Sequence, residues 1–179
     1  EAELRDYGVP VHGVVCDATD ALSLDRAFHA ISDALGPPNV VVYNASLYQA
    51  EPALELSTDA LMLALGVHVV GALDAARSAV ALMRPLGRGA VIFTINCLAL
   101  HPQAVSAAMS IGKGAQLNLA LSLERELANT GIKVGIVTIT APIKSGTAFD
   151  PPRIAELYWQ IAQQDPGQFK RDHIFDGAA

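Results

Sequence analysis

Short runs of β-branched and aromatic residues alternate with longer stretches of helical periodicity along the chain. Such alternation is typical of parallel α/β architecture, in which helices connect the strands. Asp20 and either Ser57 or Thr58 are placed to cap helices, and Gly131 to end one. The pattern predicts strands over residues 11–16, 39–43, 90–95, 133–140 and, near the end, 173–175. It predicts helices over 20–35, from 57 or 58 to about 85, and over 104–130 and 152–163.

The two longest predicted helices are apolar on more than one face, as Leu117, Leu121 and Leu123 illustrate. A helix that is apolar most of the way round is buried on two sides. One side can pack on the sheet, and the other needs a partner. We expect a homodimer or homotetramer formed through these helices, with a monomer of unusually apolar core as the alternative.

Composition and charge narrow the class of protein. The 179 residues, 51% apolar and 17% charged, suit a single domain over 1–179. The net charge of −6 argues against a nucleic-acid or anionic-membrane partner. No unbroken apolar run reaches the roughly 18 residues that a membrane span needs. Cys16 and Cys97 are too few for a disulfide framework and suit the reducing cytoplasm. No metal site is predicted.

Several local patterns occur in a fixed order with a fixed spacing. They are Asp17-Ala18-Thr19-Asp20 and Asn44-Ala45-Ser46, each after a strand, then Lys113 near the start of the second long helix, and Gly131-Ile132-Lys133-Val134. Their order and spacing resemble the short-chain dehydrogenase/reductase family over nearly the whole chain. The resemblance implies a Rossmann-type, doubly wound parallel sheet in a three-layer α/β/α arrangement. It also implies hydride transfer between NAD or NADP and a small-molecule carbonyl or alcohol substrate.

The same resemblance implies that the first part of the domain lies outside this sequence. Family members begin with a strand, a glycine-rich turn and a helix whose N-terminus holds the pyrophosphate. This sequence starts at Glu1, and its first predicted strand matches the family's third. In the family's strand order, the missing first strand lies between the strands that match 11–16 and 40–43. We therefore expect a longer native chain that supplies it.

Four positions match the family's catalytic residues, and three of them are substituted. The family's proton donor is a Tyr whose pKa is lowered by a Lys four residues later, with a Ser and an Asn in support. Lys113 matches the Lys, whereas Met109 stands at the Tyr, Asn96 at the Ser and His68 at the Asn. Because a thioether has no proton to give, the resemblance implies a degenerate active site. Asn96 can still hydrogen-bond a carbonyl oxygen.

Lys113 and His68 also have structural interpretations, as does Cys97, which follows Asn96. Lys113 can be an exposed helical lysine, but the flanking Gly112 and Gly114 favour the close approach of a ligand or helix. By resemblance, Lys113 would hydrogen-bond the nicotinamide ribose. His68 lies on a mostly apolar helix, which favours a core or interface histidine. Cys97 is interpreted as a small buried hydrophobe.

The resemblance assigns cofactor contacts to the segments that follow three predicted strands. Asp17 would contact the adenine ring, with a turn cap as the alternative. Tyr43 and Ser46 replace a family Asn and Gly, and the loop from Thr140 to Ile143 replaces a Pro-Gly turn. The full predicted cofactor set is Asp17, Ala18, Asn44, Ala45, Ser46, Lys113, Thr140 and Ile143.

Functions of two classes follow from these residues. The first is an NAD(P)-dependent oxidoreductase with altered acid chemistry, in which Tyr48 is a candidate proton donor and a plain loop aromatic the alternative. The second is a non-catalytic protein that binds a nucleotide or small ligand, or that stabilises an active paralogue as a subunit. The choice between NAD and NADP depends on residues after the family's second strand, outside this sequence.

Overall fold

The computed structural model describes residues 4, 6–165 and 167–178. Its centre is a parallel sheet with strand order β1-β2-β3-β4. The ends of the predicted 1–179 domain lie outside the described residues. The strands are β1 Val40–Tyr43, β2 Gly89–Asn96, β3 Ile132–Ile139 and β4 Asp172–Phe175.

Helices connect each strand to the next. The Asp20 carboxylate accepts hydrogen bonds from the backbone at Leu22 and Ser23 and thereby caps α1. Ser57 caps α2 in the same way through Ala60. Both caps agree with the sequence prediction. The α-helices are α1 Ala21–Leu35, α2 Thr58–Leu65, α3 Gly71–Met83, α4 Ala107–Leu127 and α5 Pro151–Ala162.

Helices cover both faces of the sheet, which confirms the predicted three-layer α/β/α architecture. On one face, α3 and α4 pack on side chains such as Val91, Phe93 and Ile136. On the other face, α5 packs on Ile92 and Val137. Strands β2, β3 and β4 follow one another in one direction, so crossovers of equal hand would place α4 and α5 on the same face. Because they lie on opposite faces, the two crossovers have opposite hands.

The sequence predicted that the first long helix is continuous. In the structure it is not one regular helix. A π-helical turn, Gly66–Val70, separates α2 from α3, and a 3₁₀ turn, Arg84–Leu86, follows α3. The second long helix starts with a 3₁₀ turn at Ala104–Ser106 before α4. A π turn accommodates one extra residue within a helix and is frequent at functional sites.

The segment Thr58–Leu86 bears on the inference, drawn from the lengths of unbroken apolar runs, that no part of the chain is long enough to span a membrane. Its 29 residues are long and apolar enough to cross a membrane, although no unbroken apolar run suggested so. Core helices of soluble proteins pass the same test of length and composition. Here α3 buries Ala72, Ala75 and Ala79 against the sheet.

The strand predicted over residues 11–16 is wrong for this structure. These residues do not join the sheet, and most of them are exposed, Val15 fully so. A strand is stabilised by ladder hydrogen bonds to a neighbour. Among the described residues, β1 pairs on one side only, with β2. An apolar run alone therefore does not produce a strand here.

Candidate functional site

The carboxyl ends of β1, β2 and β3 meet at one edge of the sheet and lead into the predicted site segments. Asn44 follows β1, Asn96 ends β2 and Thr140 follows β3. Open α/β sheets bind their ligands outside this edge. Helix α4 begins close to the same edge, since its N-terminal region packs on the Cys97–Ala99 turn that follows β2.

Asn96 and Met109, two of the predicted catalytic residues, are in direct contact. The Asn96 side-chain amide donates to the Met109 thioether at 3.3 Å, and its oxygen accepts from the Leu98 backbone at 3.2 Å. A thioether is a weak acceptor, so the amide can exchange this partner for a better one. The structure thus brings these two positions together as the resemblance implied.

Lys113 is buried, so its interpretation as an exposed helical lysine is wrong. Its side chain is 3% exposed, and its ammonium donates to the Thr94 carbonyl at 2.8 Å and to Gln116 Oε1 at 2.9 Å. No carboxylate pairs with it among the described residues. Burial disfavours the charged form and lowers the pKa of Lys113 from 10.5 to about 8.

His68 lies in the middle of the π turn and is fully buried. Its Nε2 atom lies 3.1 Å from the Leu47 carbonyl oxygen, in the loop that follows Asn44-Ala45-Ser46. Burial first, and then the charge of Lys113, lower the pKa of His68 from 6.5 to about 4, so the ring is neutral at neutral pH. Its Nδ1 atom has no partner among the described residues. The predicted core histidine is confirmed, and it also lies beside the predicted site.

Gly112 explains how His68 fits against α4. A Cβ atom at Gly112 would lie 2.6 Å from His68 Cδ2, closer than side chains normally approach. At Gly114 the nearest atom would lie at 3.5 Å, an ordinary contact distance. Of the two glycines that suggested close approach, only Gly112 is therefore required by the packing.

The predicted cofactor residues before α1 serve as a turn in this structure. The Asp17 carboxylate accepts from the Thr19 backbone at 2.8 Å and from its hydroxyl at 2.7 Å, and these bonds lower the pKa of Asp17. The Ala18 carbonyl packs so closely on α3 that a Cβ atom at Gly71 would overlap it. The turn-cap alternative describes Asp17 here, while its predicted adenine contact stays a prediction.

The other predicted cofactor residues differ in exposure. Asn44 and Ser46 are exposed, and Ala45 packs on the core. Thr140 ties β3 to β4 by donating its backbone and side-chain hydrogens to the Phe175 carbonyl. It also accepts from the thiol of Cys97, which is half-buried rather than buried as predicted.

An open cavity of about 340 Å³ lies on the α5 face at the carboxyl ends of β1 and β3. Its volume falls within the ~300–1,000 Å³ range of small-molecule sites. The cavity brings together two predicted cofactor residues, Asn44 and Ile143. A larger cavity, of about 510 Å³, lies between α5 and β4 and contains no predicted site residue. Lining residues of the first are Val42, Asn44, Ile139, Ile143, Pro151, Ile154, Ala155 and Tyr158.

Thr94 connects this cavity to Lys113. Its hydroxyl is hydrogen-bonded to the Tyr158 hydroxyl at 2.5 Å, while its carbonyl accepts from Lys113. Burial raises the pKa of Tyr158. No role was predicted from the sequence for Thr94, Tyr158 or Gln116. Only Gln116 carried a signal, because it lies three residues after Lys113 on the same helix face.

Comparisons with known proteins agree with this architecture. The family model described as short chain dehydrogenase matches residues 1–148. The chain is 25% identical over 135 residues to 3-oxoacyl-(acyl-carrier-protein) reductase MabA of Mycobacterium avium, covering 74% of this chain and 53% of that protein. It is 29% identical to 1-deoxy-11-beta-hydroxypentalenate dehydrogenase of Streptomyces exfoliatus, covering 92% and 66%. The chain spans about half the length of the MabA relatives that it matches.

Solved structures show the same fold. A short-chain dehydrogenase from Rhodopseudomonas palustris superposes with a TM-score of 0.88 at 22% identity, covering 98% of this chain and 78% of that one. A metagenomic short-chain oxidoreductase in complex with NADP gives a TM-score of 0.86 at 20% identity, covering 97% and 77%. The expected cofactor class, NAD or NADP, includes the one in that complex.

We predict that Gly112→Ala and Gly114→Ala have opposite effects on stability. The new methyl group at residue 112 meets the His68 ring, so we expect the free energy of unfolding to fall by about 1–2 kcal/mol despite the better helix propensity of Ala. At residue 114 it meets no obstacle, so stability should stay equal or rise by up to about 1 kcal/mol. Urea denaturation of both variants measures this, and equal effects would contradict the packing described.

We also predict that His68 makes the protein less stable in acid. Its folded-state pKa of about 4 lies below the ordinary 6.5, so the unfolded chain binds a proton that the folded chain excludes. The free energy of unfolding should therefore fall between pH 6.5 and 4, with His68 contributing up to about 3 kcal/mol. Denaturation curves at several pH values should show a shallower fall for His68→Asn than for the wild type. Parallel curves would refute the assignment.

Proposed function

The chain belongs to the short-chain dehydrogenase family, and we propose that it is an NAD(P)-dependent oxidoreductase that interconverts a carbonyl and an alcohol through an altered proton donor. The observation that carries the proposal is the position of Lys113. It is buried one helical turn after Met109, which contacts Asn96, and burial lowers its pKa to about 8. A catalytic acid works best when its pKa lies near the working pH.

The described residues fit a dinucleotide at the nicotinamide end. The cavity beside Asn44, Ile143 and Tyr158 offers two polar side chains on an apolar wall. Gln116 Nε2 is a buried donor with no described partner, which a ribose hydroxyl would satisfy. The third N–H of Lys113 has no described acceptor either and remains for the substrate oxygen. When bound, the reduced nicotinamide would supply the hydride.

Lys113 and Asn96 would act on the substrate oxygen. Helical side chains lean toward the N-terminus, so the Lys113 stem extends toward the turn that carries Met109. As the carbonyl carbon is reduced, Asn96 would exchange the thioether for the oxygen and donate its amide N–H. Lys113 would give the oxygen a proton from Nζ, and solvent would then reprotonate the resulting amine.

Tyr48 is the second candidate for the proton donor. It lies in the loop after β1 and is 62% exposed, so its hydroxyl is accessible. The two candidates differ in setting, because the exposed Tyr48 side chain would have to fold over the substrate whereas Lys113 is already fixed by Thr94 and Gln116. For that reason we favour Lys113.

A non-catalytic role is the second candidate function. Two observations favour this role. Met109 stands at the proton donor's position and has no proton to transfer, and it occupies the Asn96 amide that would otherwise bind the substrate oxygen. Such a protein would bind a nucleotide or small ligand, or stabilise an active paralogue as a subunit, without turnover.

The long helices support the proposal of a homodimer or homotetramer. They expose large apolar side chains, among them Met62, Leu63, Val70 and Ile111. Covering these side chains in a second subunit would remove their apolar surface from water. A cytoplasmic location and a small-molecule substrate, rather than nucleic acid or membrane, complete the proposal.

We predict that Lys113→Met lowers the turnover rate by about 10²–10⁴-fold while Lys133→Met leaves it unchanged. Loss of an acid costs about 10²–10⁴-fold in rate, and Lys133 lies at the amino end of β3, far from the site edge. Reduction of a carbonyl panel with NADH and NADPH should slow as the pH rises through about 8, where Lys113 loses its proton.

Three further results separate the alternatives. Met109→Tyr should raise the rate by restoring a hydroxyl donor, and Tyr48→Phe should leave it unchanged if Lys113 is the acid. Calorimetric titration with both dinucleotides gives the affinity independently of turnover. Binding without turnover in the wild type would favour the non-catalytic role, and failure to bind either dinucleotide would leave the roles of a small-ligand binder or a partner subunit.

A further inference from the structure

Tyr43 forms a buried contact that neither the predicted catalytic residues nor the family assignment explains. It is the last residue of β1, its side chain is 6% exposed, and its hydroxyl donates to the Val67 carbonyl at 2.5 Å. A buried tyrosine hydroxyl usually finds one partner. Here that partner belongs to the π turn that carries His68.

The π turn creates the acceptor that Tyr43 satisfies. In a regular α-helix the Gly71 N–H would bond to the Val67 carbonyl, four residues earlier. In this helix the Gly71 N–H bonds to the Gly66 carbonyl instead. The Tyr43 hydroxyl takes the place of that lost donor, and a Cβ atom at Gly71 would lie only 2.6 Å from it.

The same turn determines where His68 points. His68 is fully buried, with Nε2 at the Leu47 carbonyl and its ring against Gly112, whereas Val70 at the end of the turn is 49% exposed. A regular α-helix has one residue fewer than a π turn over the same segment. Loss of the π turn would therefore rotate His68 relative to α4. The imidazole thereby links the loop after β1 to the helix of Lys113.

We propose that Tyr43 is a positioning residue, whose hydroxyl holds the π turn and so seats His68 between the Leu47 backbone and the Lys113 helix. Under this proposal, Tyr43 shapes the predicted cofactor loop without touching a ligand. The effect on cofactor affinity rests on the proposed function, but the position of His68 does not.

The test uses Tyr43→Phe, with Tyr158→Phe as the matched control. Each variant removes one tyrosine hydroxyl with one protein partner, that of the buried Tyr43 or of the half-buried Tyr158, but only Tyr43 contacts the π turn. The histidine ring signals are titrated by NMR, with His68→Asn assigning the signal of His68. In Tyr43→Phe we expect the pKa of His68 to rise from about 4 toward its ordinary 6.5, and in Tyr158→Phe to stay at about 4.

A second variant keeps the test decisive if Tyr43→Phe does not fold. Excision of the exposed Val70 would restore the α-helical register, so the Val67 carbonyl would regain a backbone donor. His68 should then titrate toward its ordinary pKa although Tyr43 is intact. A folded Tyr43→Phe or Val70-excised protein in which the pKa of His68 stays at about 4 would overturn the proposal.

Dinucleotide affinity gives the functional consequence. If Tyr43 shapes the loop from Asn44 to Leu47, Tyr43→Phe should weaken NADH or NADPH binding about tenfold, equivalent to ~1.4 kcal/mol. If the pKa of His68 rises but the dinucleotide affinity is unchanged, only the proposed effect of Tyr43 on the cofactor loop is overturned, and its role in positioning His68 stands. A wild-type protein that binds neither dinucleotide would refute the proposed function and leave the NMR result to decide on Tyr43.

Discussion

The candidate site depends on a buried ammonium that no described carboxylate neutralises. Charged groups are rarely buried without a partner of opposite charge, because the loss of hydration is larger than neutral hydrogen bonds return. Lys113 receives only the Thr94 carbonyl and the Gln116 amide oxygen. Burial without a carboxylate partner therefore favours loss of the Lys113 proton and brings its pKa close to neutral pH. Lys113 can thus act as an acid in a site where Met109 stands at the position of the family's proton donor.

Two hydrogen-bond acceptors hold that lysine in place, and a buried histidine packs on its helix. Thr94 joins it to the sheet and, through Tyr158, to the cavity on the α5 face. Gln116 holds it from the next turn of α4. The His68 ring packs on the neighbouring Gly112 and remains neutral, because burial first and then the charge of Lys113 disfavour its protonation. The absence of a side chain at Gly112 lets that imidazole approach.

Sequence patterns predicted the architecture well, since helix caps and apolar periodicity act locally. Asp20 and Ser57 cap helices where the sequence indicated, and Asn96 contacts Met109, two positions that the resemblance placed in one site. The strand over residues 11–16 was wrong because a strand depends on a neighbour that local sequence does not contain. The burial of Lys113, the π turn and the role of Tyr43 could not be predicted either, because each depends on contacts between distant segments.

The protonation of Lys113 itself tests this account most directly. NMR titration of the protein with isotope-labelled lysine, using Lys113→Met to assign the signal, reports the pKa of that one ammonium without substrate or cofactor. The account predicts a pKa of about 8 for Lys113, well separated from the exposed lysines. A pKa near the ordinary 10.5 would show that the ammonium is hydrated or paired with a carboxylate, and the proposed proton donor would be wrong.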